Sequence, residues 1–224
     1  LSNQLQAFAG KRVFFGHQSV GTNIIEGIQH LAERESVSIR VSETRLPPAD
    51  GAGGLFHFHV GENGAPERKL KDFMDTVLAL ETVPLDLAML KFCYVDIDSR
   101  RNPAGMAASY IEMIESLRER RPSVTFVPVT APLTFIQGGP KAWMKKLLGR
   151  TPAGFVDNAN RQAFNENLRR HFSRTELFDL ARVEAGPSAG RVESLDPRLS
   201  SDGGHLNANG QSVVAASLLQ FLAA

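Results

Sequence analysis

Short apolar runs alternate five times with segments of helical periodicity, and this alternation constrains the fold more than any single residue. Val13–Phe15 is the first run, and Val20, Ile24, Ile25, Ile28 and Leu31 follow at helical spacing. Val37, Ile39 and Val41 then alternate with period two. LDLAML at 85–90, VTFVPV at 124–129 and LFDL at 177–180 supply three more strands, with helices around Phe73, Ile114 and Phe164 between them and a last helix from about Asn209. The pattern predicts an α/β fold: three layers, with a central parallel five-stranded sheet covered by helices on both faces, in a flavodoxin-like order. Residues 46–66, rich in Pro and Gly, read as a long loop after the second strand. Residues 133–155 read as an inserted segment whose short amphipathic helix (Trp143, Met144, Leu147, Leu148) packs onto the body or serves as a lid.

In such sheets ligands bind beyond the carboxyl ends of the strands, and the polar clusters of this chain fall there. In FFGHQSVGTNII, residues 14–25, a strand turns directly into a helix with Ser19 in the turn. Its hydroxyl then lies past the strand and its N–H at a helix N-terminus, where an oxyanion can be held. An N-cap is the competing use of serine at such a place. SSDGGHLNANG, residues 200–210, sets Asp202 and His205 three apart before the final helix. An oxygen nucleophile, an imidazole base and a carboxylate that fixes its tautomer are the three groups acyl transfer needs.

These motifs resemble the SGNH, or GDSL-type, hydrolase family. By that resemblance Ser19 is the nucleophile, His205 the base and Asp202 its orienting acid, the fold is flavodoxin-like, and no cofactor is called for. The family's Gly-Asp-Ser is replaced here by His17-Gln18-Ser19. The resemblance also implies an oxyanion hole of three donors: the Ser19 N–H, a glycine N–H and an asparagine amide. Gly61 in VGENG is the first choice for the glycine, with Gly64 and the glycines of 51–54 as alternatives. In LAMLKFCYVDID no Asn stands where the family has Gly-x-Asn-Asp, and matching by Asp96 puts Val95 there. Asn63 in the neighbouring loop offers an amide and Lys91 an ammonium, although a lysine at a strand end also fits an ion pair with Asp96 or Asp98. The expected activity is a serine esterase acting on small O-acyl esters of a carbohydrate or lipid. An O-acyltransferase with the same triad, or a non-catalytic glycan-binding module on the same fold, is the alternative.

Other chemistries have less support. His57 and His59, with His17 and His205, are the only basis for a metal site, and no HExxH or cysteine cluster joins them. GAGG at 51–54 lacks the strand-to-helix layout of a dinucleotide fingerprint. The single Cys93 rules out an intramolecular disulfide. Twenty-five basic against 24 acidic residues leave a net charge of +1, which gives no footprint for nucleic acid. No apolar run reaches the roughly 18 residues of a membrane helix. We expect one domain over residues 1–224. The start at Leu1 fits a trimmed chain or an exported, periplasmic form with its signal peptide removed.

Overall fold

The computed structural model describes residues 1–186 and 192–223. In chain order the elements are α1 (Ser2–Ala9), β1 (Arg12–His17), α2 (Ser19–Arg34), β2 (Val41–Glu43), β3 (Gly54–His59), α3 (Pro66–Ala79), β4 (Leu87–Leu90), a 3₁₀ turn (Tyr94–Asp96), α4 (Pro103–Arg120), β5 (Thr125–Pro128), α5 (Gly139–Leu147), α6 (Phe155–His171), α7 (Leu180–Glu184) and α8 (Ala208–Ala223). The strands form one sheet in the order β2-β3-β1-β4-β5, and every pairing is parallel.

Every residue of β1 is buried, as a central strand covered on both faces requires. Its side chains alternate between two apolar clusters. Phe14 packs with Phe56, Phe58, Phe73, Tyr110 and Phe164 under α3, α4 and α6. Val13 and Phe15 pack with Ile24, Ile28, Leu55, Met89 and Leu218 under α1, α2 and α8. These are the three layers expected from the periodicity. Arg12, also buried, spends its guanidinium on the carbonyls of Pro84, Ala52 and Pro48. It thereby fixes the connection between β2 and β3, where no helix intervenes.

The sheet has five strands, but they are not the five read from the sequence: β3 is in the sheet and LFDL is not. The segment taken as one long loop, 46–66, contains β3, which lies directly beside β1. Its alternation is disguised by His57 and His59, polar residues in a strand whose Leu55, Phe56 and Phe58 are buried. LFDL makes only a single bridge, Phe178 to Val129, and its last residue already starts α7. The second strand begins only at Val41, with Val37 and Ile39 outside the ladder. Residues 133–155 hold the short helix α5, yet Trp143, Met144, Leu147 and Leu148 are exposed instead of packed onto the body. Among the described residues no helix is long and apolar enough to cross a membrane.

Candidate active site

The turn between β1 and α2 is set by Gln18. Its backbone is extended and occupies the N-cap position without a side-chain cap, so Ser19 is the first helical residue and its hydroxyl is not used as a cap. The Gln18 amide donates instead to the carbonyls of Val60 (2.9 Å) and Gly61 (3.3 Å), tying the serine turn to the turn after β3. Ser19 Oγ contacts Cys93 Sγ at 3.9 Å.

Beneath this turn lies a histidine cluster. His17 is fully buried, and burial pushes its pKa down to about 3. As the neutral ring it donates from Nδ1 to the Gln18 carbonyl (3.1 Å) and accepts at Nε2 from His57 Nδ1 (3.0 Å). His59 turns to Glu43 Oε1, 3.1 Å away. The three imidazoles thus engage each other and their neighbours. Among the described residues no group of three His, Cys, Asp or Glu side chains is arranged to hold a metal ion.

Asp202 and His205 share a tight turn closed by an antiparallel bridge between Ser200 and Leu206. Asp202 Oδ1 accepts the N–H groups of Gly204 (2.9 Å) and His205 (2.8 Å), and Oδ2 lies 2.7 Å from His205 Nδ1. These bonds, the two backbone ones foremost, hold the carboxyl well below the usual range. An ionised Asp202 keeps the proton on Nδ1 and leaves Nε2 as the basic nitrogen. The glycines are steric requirements: Gly203 has φ +92°, and a Cβ on Gly204 would press the Tyr94 ring at 3.1 Å. Tyr94 meets the His205 ring edge-on, centroids 5.7 Å apart. The Leu206 N–H donates to Asn23 Oδ1 on α2 (3.2 Å), which anchors the histidine turn one helical turn from Ser19. Ser19, Cys93, Tyr94 and His205 therefore line one edge of the sheet. Among the described residues no hydrogen bond joins Ser19 to His205.

Asp96 organises the third wall. Fully buried, it accepts from Lys69 Nζ (2.7 Å), the Cys93 N–H (2.6 Å) and the Gly64 N–H (2.9 Å). Lys69 Nζ also donates to Asn63 Oδ1 (2.8 Å). That bond turns the Asn63 amide nitrogen away from the lysine, and Asn63 lines an open cleft with Tyr94, Val95, Thr134, Asp157 and Arg161. The Gly61 N–H donates to Asp72 Oδ2 (2.7 Å), so this donor is committed away from the serine; the Gly64 N–H is committed to Asp96.

Lys91 pairs with neither Asp96 nor Asp98, whose partners are Lys69 and Arg100. It is buried near Cys93 and Glu184, and burial pushes its pKa down and that of Glu184 up. Sequence reasoning passed over Lys69, Asn23 and Arg161. Lys69 had a signal, since it shares the apolar face of α3 with Phe73 and Val77. So did Arg161, buried three residues before Phe164.

No family model matches the sequence, and no curated protein matches it significantly. Solved structures do. The periplasmic domain of a lipopolysaccharide acetyltransferase from Salmonella ser. Paratyphi A superposes with a TM-score of 0.57 at 11% identity, covering 100% of this chain and 87% of that one. A protein from Desulfitobacterium hafniense DCB-2 assigned to the G-D-S-L lipolytic family gives 0.53 at 11%, covering 94% and 99%. A peptidoglycan O-acetylesterase gives 0.50 at 14%, covering 78% of this chain and 47% of that one. At such identities what is shared is the fold, and it is the α/β fold of the SGNH/GDSL hydrolases.

Proposed function

We propose that this chain is an acyl-ester hydrolase working through Ser19, His205 and Asp202. The observation that carries the reading is the Asp202–His205 pair, held in a glycine turn with Nδ1 on the carboxylate and the ring beside Tyr94. Ser19 Oγ attacks the ester carbonyl and passes its proton to His205 Nε2, while Asp202 stabilises the imidazolium. The oxyanion takes hydrogen bonds from the Ser19 N–H at the head of α2 and from the Asn63 amide. The intermediate collapses, His205 returns the proton to the departing alcohol, and water then releases the acyl group by the same steps. Substrate binding is expected to bring Ser19 Oγ and His205 Nε2 within hydrogen-bond reach, since catalytic hydrogen bonds often form fully only in the complex.

The substrate class is a small acyl ester on a carbohydrate or lipid, in keeping with the acetyl-transferring and acetyl-removing activities named for two of the structural neighbours. A sugar hydroxyl in place of water would make the same site an O-acyltransferase.

The test is intact-mass labelling with a fluorophosphonate, comparing the natural chain with Ser19→Ala, followed by hydrolysis of p-nitrophenyl acetate. Stoichiometric labelling that Ser19→Ala abolishes is expected. An unlabelled but folded natural chain would sink the hydrolase reading and leave the glycan-binding module.

A further inference from the structure

Between Leu133 and Val156 the sequence carries Lys141, Lys145, Lys146 and Arg150 and no Asp or Glu. A chain with a net charge of only +1 thus gathers four cations in one unopposed stretch. The same stretch exposes large apolar side chains: Trp143 is 66% exposed, Met144 56%, Leu147 71% and Leu148 67%. They recur at i, i+1, i+4 and i+5, which is a single stripe on a helix. The Leu148 N–H donates to the Met144 carbonyl (3.1 Å), so the stripe continues one residue past α5. Helices covering a sheet bury such a stripe, and this one faces solvent.

We propose that α5 is a docking element for an anionic lipid surface. An exposed stripe of Trp and Leu in a lysine-rich stretch is the composition of helices that lie in the membrane interface. The stripe is convex, on one short helix between Gly139 and Gly149, both at positive φ. It suits a plane better than a groove. A second copy of the chain fits poorly, because it would bring two uncompensated sets of four cations together. The neck of the segment lies against the histidine turn: the Phe135 N–H donates to the Gly203 carbonyl (2.8 Å) and the Gln137 N–H to the Ala153 carbonyl (2.9 Å). Docking through α5 therefore holds the Asp202–His205 turn beside the lipid surface. The docking itself does not rest on the hydrolase reading.

Trp143 is the only tryptophan, so its emission reports this helix alone. The full chain is mixed with phosphatidylcholine vesicles, with and without phosphatidylglycerol, and followed by Trp emission and co-sedimentation. A blue shift and co-sedimentation are expected with the mixed vesicles only, both reversed at ~1 M salt, where the screening length is about 3 Å. Replacing Lys141, Lys145, Lys146 and Arg150 together by Gln should weaken binding at least ~10-fold. Leu147→Ser with Leu148→Ser, which alters only exposed side chains, should abolish the blue shift. Both variants should keep fluorophosphonate labelling of Ser19, which separates this proposal from the catalytic one. Unchanged emission with the protein left in the supernatant would overturn the proposal, as would equal binding to phosphatidylcholine alone. A vesicle-independent blue shift with a doubled mass would replace it with a self-association face.

Discussion

His205 Nδ1 lies 2.7 Å from one oxygen of Asp202, while the other oxygen accepts the backbone N–H groups of Gly204 and His205. The carboxylate is thus both the turn's internal cap and the group that sets the imidazole's tautomer. Asp202→Asn keeps an acceptor for the backbone but presents either a donor or a neutral oxygen to Nδ1. On p-nitrophenyl acetate kcat should fall about 10⁴-fold with KM little changed, the loss expected of a wrong tautomer. Steady-state kinetics check this, and a fall within tenfold would mean Asp202 serves only the turn.

Asn63 is held by the ammonium of Lys69 on its oxygen side, which leaves its amide hydrogens uncommitted among the described residues. If they receive the oxyanion, Asn63→Ala should lower kcat by about 10²–10³ with KM nearly unchanged, because the interaction exists only in the transition state. A rise in KM alone would make Asn63 a ground-state contact with substrate.

The Asp202–His205 pairing was legible because it is local. Asp202 and His205 stand three apart, and the turn that joins them needs only its own glycines. Ser19 was legible as a position, but its competing use as a cap was settled only by seeing Gln18 take the N-cap. What failed was whatever depended on distant partners. β3 hid in a Pro/Gly-rich stretch because two of its six residues are histidines whose partners, His17 and Glu43, lie on other strands. LFDL has the composition of a strand but meets β5 through one bridge only. Lys91 and Lys69 are equally plausible partners for Asp96 by residue type. The fold chose the helix residue, and no spacing rule reports that.

The Lys69–Asp96 pair has no exposed surface on either side chain. Breaking such a pair from one side strands a charge, at a cost of about 3–5 kcal/mol. Lys69→Met should therefore lower unfolding free energy by that amount in urea. Removing both charges should not restore it, since the N–H groups of Cys93 and Gly64 would then lose their acceptor. By contrast Arg68–Glu62, exposed on both sides, should change stability by less than about 1 kcal/mol when Arg68 becomes Ala. Similar losses for the two variants would show that Asp96 is paired only in appearance.

The buried His17 makes stability depend on acid above the range where carboxylates of ordinary pKa titrate. In the unfolded chain the ring takes a proton near its ordinary pKa of about 6.5. In the folded chain burial, with smaller contributions from His57, Lys91 and His59, holds it neutral down to about 3. The unfolded state therefore binds more protons between these values, and stability falls as pH drops from 6.5 towards 3. At about 1.36 kcal/mol per pH unit, the two units from 6.5 to 4.5 correspond to a loss of up to about 2.7 kcal/mol. His57, also lowered by burial, adds to it in the same direction, whereas Glu184, whose pKa burial raises, takes up its proton in the folded state and offsets part of the loss. Urea unfolding at pH 6.5, 5.5 and 4.5 measures the slope. His17→Gln, neutral throughout, should be less stable at pH 6.5, where it gives up the packed ring, yet should lose less stability with acid, retaining only the opposing contributions of His57 and Glu184. An unchanged slope in that variant would mean that protonation is absorbed elsewhere in the fold.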